Sequence, residues 1–233
     1  MQISPQIPLQ LEPSRPDRLE DFIAGPNQNI VLALRQLLAE EGGSLFLSGP
    51  GGSGKSHLLN ALCHAAREHN QVAFYLSLKS PSHKAVESLG GLQGVSLVCV
   101  DDLDRAAGKA EWEHALFRCF NDLREAGGRL VVSSRLPLSS LSFGLPDLRS
   151  RLAWGLRLKL APLDDEDKLQ VLQQRMLALG IELPRDVQLY LIKHGKRDME
   201  SLLAALDQLK EAAFVAKRRI TVPLAREILG FKD

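Results

Sequence analysis

The chain has 233 residues with 29 basic and 28 acidic side chains, which leaves a formal net charge of +1. This balance excludes a broad basic surface made for nucleic acid, while a local basic patch stays open. No apolar run is long enough to span a bilayer, so the sequence predicts no membrane partner. The three cysteines lie in segments typical of a protein core, which favours a reducing cytoplasm over a disulfide framework.

The pattern along the chain predicts three regions. Residues 1–18 contain four prolines and are predicted to form an extended or flexible tail. Strands and helices alternate over 19–162, which predicts an α/β domain with a five-stranded parallel sheet covered by helices on both faces. In chain order the predicted elements are a helix at about 28–41, a strand at 44–48, a helix at 54–69, strands at 72–78 and 95–100, a helix at 110–127, and strands at 129–134 and 155–161. Residues 163–233 show only helical patterns, which predicts a small helical second domain.

The sequence GPGGSGKS at residues 49–56 has the spacing of a phosphate-binding loop, with a predicted strand before it and a helix after it. Glycines let successive backbone N–H groups turn toward an anion, and the helix N-terminus adds positive potential. Lys55 is expected to reach the β- and γ-phosphates, and the Ser56 hydroxyl is expected to bind Mg²⁺. The predicted nucleotide-binding residues of this segment are Pro50, Gly51, Gly52, Ser53, Gly54, Lys55, Ser56 and His57.

The sequence LVCVDD at residues 97–102 is an apolar strand that ends in two carboxylates. Such carboxylates lie at the carboxyl edge of a parallel sheet, where α/β proteins place their ligands. Asp101 is predicted to hold Mg²⁺, directly or through water, and Asp102 is predicted to polarise the attacking water. Strongly active ATPases more often carry Glu at the position of Asp102, and the Asp side chain is shorter than that of Glu.

These motifs, followed by a helical C-terminal region, resemble the nucleotide-binding module of AAA+ P-loop NTPases. LEDFIAGPNQNIVLAL at 19–34 and GLPDLRSRLAWG at 144–155 are similar to segments of the DnaA/Hda family of replication proteins, and so are residues 182–209 and 220–229. The resemblance covers about residues 19–231. It implies that ADP or ATP, with Mg²⁺, binds between the sheet domain and a helical lid, with Phe22 on the adenine side.

The resemblance also assigns a role to Arg151, in the sequence SRLAWG. It implies an arginine finger that acts in trans on ATP bound by DnaA, since a guanidinium neutralises charge that develops on the transferred phosphoryl group. The alternative is an ordinary surface arginine, or one paired with Asp147.

QIPLQL at residues 6–11 resembles the short peptide by which proteins bind the sliding clamp of the replicative polymerase. An extended strand of this kind can place Leu9 and Leu11 in apolar pockets while Gln6 forms hydrogen bonds at the rim. The alternative is an ordinary proline-rich tail. Through the clamp, the protein would reach DNA indirectly.

The function implied by the resemblance is negative regulation of chromosomal replication initiation. The protein would bind nucleotide and the DNA-loaded clamp, and it would stimulate hydrolysis of DnaA-bound ATP while having weak or no ATPase activity of its own. A homo-oligomer is compatible with this function. The alternatives are a helicase-loader-like AAA+ ATPase that remodels a DNA complex, and a non-catalytic adaptor that tethers DnaA-type proteins.

Two positions depart from the family pattern. Glu200 stands where the family's lid helix carries a phosphate-contacting arginine, and a carboxylate there would repel phosphate. Either Glu200 points away and Arg197 substitutes, or the alignment shifts. At the end of the fourth strand, Ser134 or Arg135 replaces the usual polar sensor. Both changes predict weak intrinsic hydrolysis.

Overall fold

The computed structural model describes residues 17–79 and 82–231. Its sheet has five parallel strands in the order β2-β3-β4-β1-β5, which confirms the predicted α/β architecture. The strands are β1 (Ser44–Ser48), β2 (Ala73–Ser77), β3 (Leu97–Asp101), β4 (Arg129–Ser134) and β5 (Leu156–Lys159).

The helices precede, connect and follow these strands. They are α1 (Gln28–Ala39), α2 (Lys55–Glu68), α3 (His83–Glu87), α4 (Ala110–Glu125), α5 (Pro146–Trp154), α6 (Asp165–Leu177), α7 (Arg185–His194), α8 (Met199–Ala216) and α9 (Val222–Leu229). Short 3-10 turns lie at Leu19–Asp21, Gly25–Asn27, Ser88–Gly90, Leu103–Arg105 and Leu138–Ser140. Within the described ranges, no helix is both long and apolar enough to cross a membrane.

The central strands β1, β3 and β4 are buried on both faces of the sheet, since their successive side chains point to opposite sides and nearly all of them are buried. Val98 and Val100 belong to the cluster beneath α4 and α5, whereas Leu97 and Cys99 pack with α1 and α2 on the other face. Burial on both faces explains why the central strands are continuous apolar runs and do not alternate with polar residues.

The last four helices, α6 to α9, form a lid with its own core, in which Leu172, Leu191 and Leu206 are fully buried. Polar contacts connect the N-terminal segment to the lid helix α6 and to Ala161, which precedes the lid. The Asn27 side chain donates to the Ala161 carbonyl at 3.1 Å and accepts from the Ala161 N–H at 2.7 Å. Gln174 on α6 donates to the Asp21 carbonyl at 2.7 Å. These contacts hold the lid beside the carboxyl edge of the sheet.

Candidate nucleotide-binding site

The loop at residues 49–56 connects the end of β1 to the start of α2. Gly52 and Gly54 have φ angles of +72° and +89°, a region that glycine adopts without steric cost. The Gly49 N–H donates to the Ser134 carbonyl at 3.1 Å, which fastens the loop to the end of β4. The first N–H groups of a helix have no intrahelical partner, and no side chain caps them at the N-terminus of α2. The loop therefore has the backbone geometry of an anion site.

Lys55 folds back onto the loop from the first turn of α2. Its ammonium donates to the carbonyls of Gly49 at 2.8 Å and Pro50 at 2.7 Å, and the residue is only 6% exposed. Burial lowers the pKa of Lys55, against the opposing effect of the charges on Asp101 and Asp102. A bound phosphate would give this buried cation a stronger anionic partner than the carbonyls.

Asp101 ends β3 and is completely buried. The Tyr75 hydroxyl donates to its Oδ2 atom at 2.9 Å, and the Ser133 hydroxyl donates to its Oδ1 atom. Burial, together with the charge of Asp101, raises the pKa of Tyr75, so Tyr75 keeps its proton and remains a donor. Together the two hydroxyls fix the orientation of the Asp101 side chain.

Asp102 follows with a left-handed backbone, at φ +61° and ψ +44°. Its N–H donates to the Ser133 hydroxyl at 3.1 Å. The residue is 4% exposed, and its Oδ2 atom has no hydrogen-bond partner among the described residues. Burial and the neighbouring Asp101 charge raise the pKa of the Asp102 carboxyl. A carboxylate in this state can orient a water molecule and accept its proton.

The oxygen donors near the loop fit Mg²⁺. Ser56 lies half-buried in the first turn of α2, and Asp101 lies at the carboxyl end of β3. Mg²⁺ usually binds through one or two carboxylates and retains several waters. Because both Asp101 oxygens already accept hydrogen bonds, an Asp101 contact through water suits this arrangement. Among the described residues, including those near the loop, no group of three or more His, Cys, Asp or Glu could hold a metal by itself.

A cavity of about 620 Å³ lies between the loop and the lid. Phe22 and His57 form one wall, with their ring centroids 5.8 Å apart, and Leu163, Val171 and Leu203 contribute apolar surface. Phe22 packs so closely on the loop that a Cβ at Gly54 would lie 2.5 Å from its ring. Mostly apolar walls with a few polar groups are typical of small-molecule sites.

The first turn of α8 rests directly on the phosphate loop. A Cβ at Gly52 would lie 2.7 Å from the Met199 carbonyl carbon, and one at Gly51 would lie 2.8 Å from the Glu200 carboxylate carbon. Glu200 does not point away from the loop. Its carboxylate forms an ion pair with Arg135, at 3.0 Å.

Arg197 is exposed in the segment between α7 and α8. The hydrogen bond and charge of Lys168, with a smaller contribution from Arg197, lower the pKa of Asp165 at the start of α6. The first alternative, that Glu200 points away, is therefore wrong, whereas a shift of the alignment stays a prediction. A phosphate contact by Arg197 stays a prediction.

Arg151 lies near the opposite end of β1 from the loop. Its guanidinium is 5.7 Å from the ring centroid of Trp154, a residue that is 63% exposed. The Arg124 guanidinium lies 4.3 Å from the same centroid. The following Gly155 packs against Ser44, the first residue of β1. Among the described residues no ion pair joins Arg151 to Asp147.

Gln6, Leu9 and Leu11, the predicted clamp-binding residues, lie outside the described residues.

A sequence model of the bacterial DnaA ATPase domain matches residues 15–159, and one of the Hda lid domain matches residues 165–229. The chain belongs to the DnaA/Hda family of AAA+ proteins. Domain III of the Thermotoga maritima replication initiation protein DnaA is similar in structure, with a TM-score of 0.79 at 22% identity, over 93% of this chain and 97% of that chain.

Two further solved structures share the fold. AMPPCP-bound DnaA from Aquifex aeolicus matches with a TM-score of 0.69 at 23% identity, over 90% of this chain and 69% of that chain. The Thermotoga maritima RuvB Holliday junction branch migration motor matches with a TM-score of 0.67 at 20% identity, over 93% of this chain and 72% of that chain. These similarities confirm the AAA+ fold with a helical lid.

Within this DnaA/Hda-family fold, sequence reasoning missed Tyr75 and Ser133, which contact Asp101. Ser133 lies next to the carboxyl end of β4, and Tyr75 lies in the middle of β2. Ligands bind at the carboxyl ends of parallel strands, so a polar residue there is a recognisable signal.

Proposed function

We propose that this DnaA/Hda-family protein binds ADP or ATP with Mg²⁺ between its sheet domain and its lid, and that it limits replication initiation by stimulating hydrolysis of DnaA-bound ATP. One observation carries the proposal: the phosphate loop and Arg151 lie near opposite ends of β1. Because Arg151 lies this far from its own loop, the nucleotide on which it would act is one held by another subunit.

In its own site, the protein would bind nucleotide with residues from both domains. The loop N–H groups and Lys55 would bind the phosphates, and Phe22 and His57 would line the adenine side of the cavity. Ser56 and Asp101 would hold Mg²⁺, which neutralises charge on the phosphate oxygens. Because the cavity lies between the sheet domain and the lid, bound nucleotide would fix the angle between them and so the shape of the docking face.

Arg151 would act as an arginine finger in trans. Its guanidinium lies over the exposed Trp154 ring, and this cation–π contact restricts the side chain before any partner arrives. A pre-oriented guanidinium loses less conformational freedom when it reaches the γ-phosphate held by DnaA. The positive charge would then stabilise the transferred phosphoryl group.

The proposal includes the sliding clamp, bound through Gln6, Leu9 and Leu11. Its support is the sequence QIPLQL alone. Binding to a clamp loaded on DNA would concentrate the protein where DnaA has just completed initiation. Conversion of DnaA to its ADP form would then prevent a second round.

The deciding experiment measures how fast ATP-loaded DnaA becomes ADP-loaded in the presence of this protein and clamp loaded on DNA. Removal of an arginine finger typically costs about 10³-fold or more in rate, so we expect Arg151→Ala to abolish the stimulation. Arg149→Ala is the matched control, because Arg149 is an exposed arginine on the same helix whose guanidinium donates to the Ser139 carbonyl. Retained stimulation by Arg151→Ala would refute the arginine finger.

The same assay separates the alternatives. No stimulation by the wild-type protein would favour an adaptor or a helicase-loader-like ATPase. Replacement of Gln6, Leu9 and Leu11 by alanine should abolish the part of the stimulation that requires the loaded clamp. If this variant stimulates hydrolysis as well as the wild type does, residues 6–11 are not a clamp-binding peptide.

A further inference from the structure

Glu113, in the first turn of α4, is a buried carboxylate outside the nucleotide site. The residue is 1% exposed, and the other buried acidic residues of the described ranges, Asp101 and Asp102, belong to the nucleotide site. Burial of a charged group is costly unless hydrogen bonds compensate for the lost water. The partners of Glu113 therefore have to offset this cost.

Three backbone N–H groups donate to the Glu113 carboxylate. The Gly108 N–H contacts Oε1 at 2.7 Å, the Gly144 N–H contacts the same oxygen at 3.2 Å, and the Leu145 N–H contacts Oε2 at 2.7 Å. Gly108 lies just ahead of α4, whereas Gly144 and Leu145 lie just ahead of α5. One side chain thus joins the starts of two helices that are far apart in the sequence.

The start of α5 depends on this carboxylate. Leu145 stands at the N-cap position and supplies no capping side chain, and Pro146 at the first helical position has no N–H. A helix of nine residues needs tertiary contacts to be stable. Its buried residues Leu148 and Leu152 pack with α4 in the core, but apolar packing is non-directional. The hydrogen bonds to Glu113 therefore fix where α5 begins and how it is turned about its axis.

The helix that Glu113 fixes in this way carries Arg151, about one and a half turns from its start. The Arg151 guanidinium lies near the Trp154 ring of the same helix, so a movement of α5 carries both side chains together. Misplacement by about 1 Å of a group that acts on a transition state can cost about a hundredfold in rate. The position of α5 is therefore a requirement for an arginine finger.

We propose that Glu113 is a positioning residue for Arg151, an inference that rests on the proposed role of Arg151 in trans. The Glu113 carboxylate holds the backbone ahead of α5 and so places the guanidinium where it meets the γ-phosphate held by DnaA. Glu113 does not line the cavity between the loop and the lid. Its effect belongs to the stimulated rate of hydrolysis and not to ADP binding by its own chain.

The test measures hydrolysis of DnaA-bound ATP over a range of concentrations of the full-length protein, with clamp loaded on DNA. Glu113→Ala leaves three N–H groups without their acceptor, so the maximal stimulated rate should fall about tenfold to a hundredfold. The concentration for half-maximal stimulation, and the ADP affinity from calorimetry, should stay close to those of the wild type. Glu113→Gln keeps one carbonyl acceptor and should give an intermediate maximal rate.

Leu89→Ala is the matched control for a general loss of stability. Leu89 is 1% exposed in the core that contains Leu148 and Leu152, but it lies ahead of β3 and outside the segment that Glu113 holds. Its truncation should lower the melting temperature and leave the maximal stimulated rate unchanged while the protein is folded. An equal loss of maximal rate in Leu89→Ala and Glu113→Ala would mean that Glu113 is only structural, which overturns the proposal.

The remaining outcomes separate this inference from the proposed function. If Arg151→Ala abolishes stimulation while Glu113→Ala stimulates as well as the wild type does, only the positioning role fails. A change confined to the half-maximal concentration would also overturn it. If the wild type gives no stimulation, or Arg151→Ala retains it, the arginine finger and the positioning role fail together. Should Glu113→Ala be unfolded at the assay temperature, a wild-type maximal rate in Glu113→Gln would overturn the proposal.

Discussion

The ammonium of Lys55 lies 2.8 Å from the carbonyl oxygen of Gly49, the residue that opens the same loop. The loop's own cation is therefore bound to the loop's own backbone. A nucleotide phosphate has to draw Lys55 away from Gly49 and Pro50, and the exchange is favourable because a buried cation interacts more strongly with an anion than with a carbonyl dipole.

Lys55→Ala should therefore lower ADP affinity about a hundredfold or more, since the phosphate loses a charge-assisted partner in a mostly buried site. Calorimetric titration with ADP measures the change. Lys84→Ala removes an exposed lysine on α3 and should leave the affinity unaltered. ADP affinity equal to that of the wild type would refute the assignment of the loop.

Gly52→Ala should displace the lid from the loop. The added Cβ would collide with the backbone of Met199 and Glu200, which side-chain rotation cannot relieve. We expect faster hydrogen exchange in α8 and weaker ADP binding. Gly42→Ala is a matched control, because its φ of +71° is almost the same as the +72° of Gly52 while no atom lies within 4 Å of its added Cβ. Equal effects of the two variants would mean that backbone strain alone is responsible.

Tyr75→Phe should lower the free energy of unfolding by about 1–3 kcal/mol, because buried Asp101 loses a hydrogen-bond donor. Urea denaturation measures the difference. Tyr190→Phe deletes a buried hydroxyl that has no hydrogen-bond partner among the described residues, so its expected effect is near zero or slightly stabilising. A loss of the same size at both positions would show that the Tyr75 hydroxyl contributes nothing specific to Asp101.

His57 should make the stability of the protein depend on pH. Burial opposes its charged form, but the hydrogen bond and charge of Asp17, the Arg18 carbonyl and the Asp21 charge outweigh burial and raise the pKa of His57 above the ordinary value of 6.5. A raised histidine pKa stabilises the folded state fully below the unfolded pKa, and this stabilisation is lost as pH rises through the folded pKa.

The stability advantage of the wild type over His57→Gln should consequently be largest below about pH 6.5 and decrease above it. Urea titrations at several pH values measure this difference. Asp17→Asn should remove most of the dependence, since Asp17 supplies the main stabilising partner. A difference that stays constant across this range would show that His57 does not titrate with a raised pKa.

The local sequence was sufficient to predict a strand or a motif wherever the pattern lies within a single element. The predicted strands at 44–48 and 129–134 coincide with β1 and β4, because buried parallel strands are continuous apolar runs. The phosphate loop follows from its glycines and from the strand and helix beside it. The prediction at 155–161 was too long by three residues, because β5 is an edge strand whose exposed positions give a weaker pattern.

Relationships between distant segments depended on the tertiary structure. No local pattern specifies the strand order, which places Tyr75 and Ser133 on either side of Asp101. Nor does any local pattern bring Arg135 to Glu200. That contact exists because the lid, once its own core is buried, rests its α8 helix on the glycines of the loop. The sequence by itself determined that this chain carries a phosphate loop followed by an acidic strand end. Only the packing of separate hydrophobic cores decided which charges surround that loop, because burial brings together side chains that are far apart in the chain.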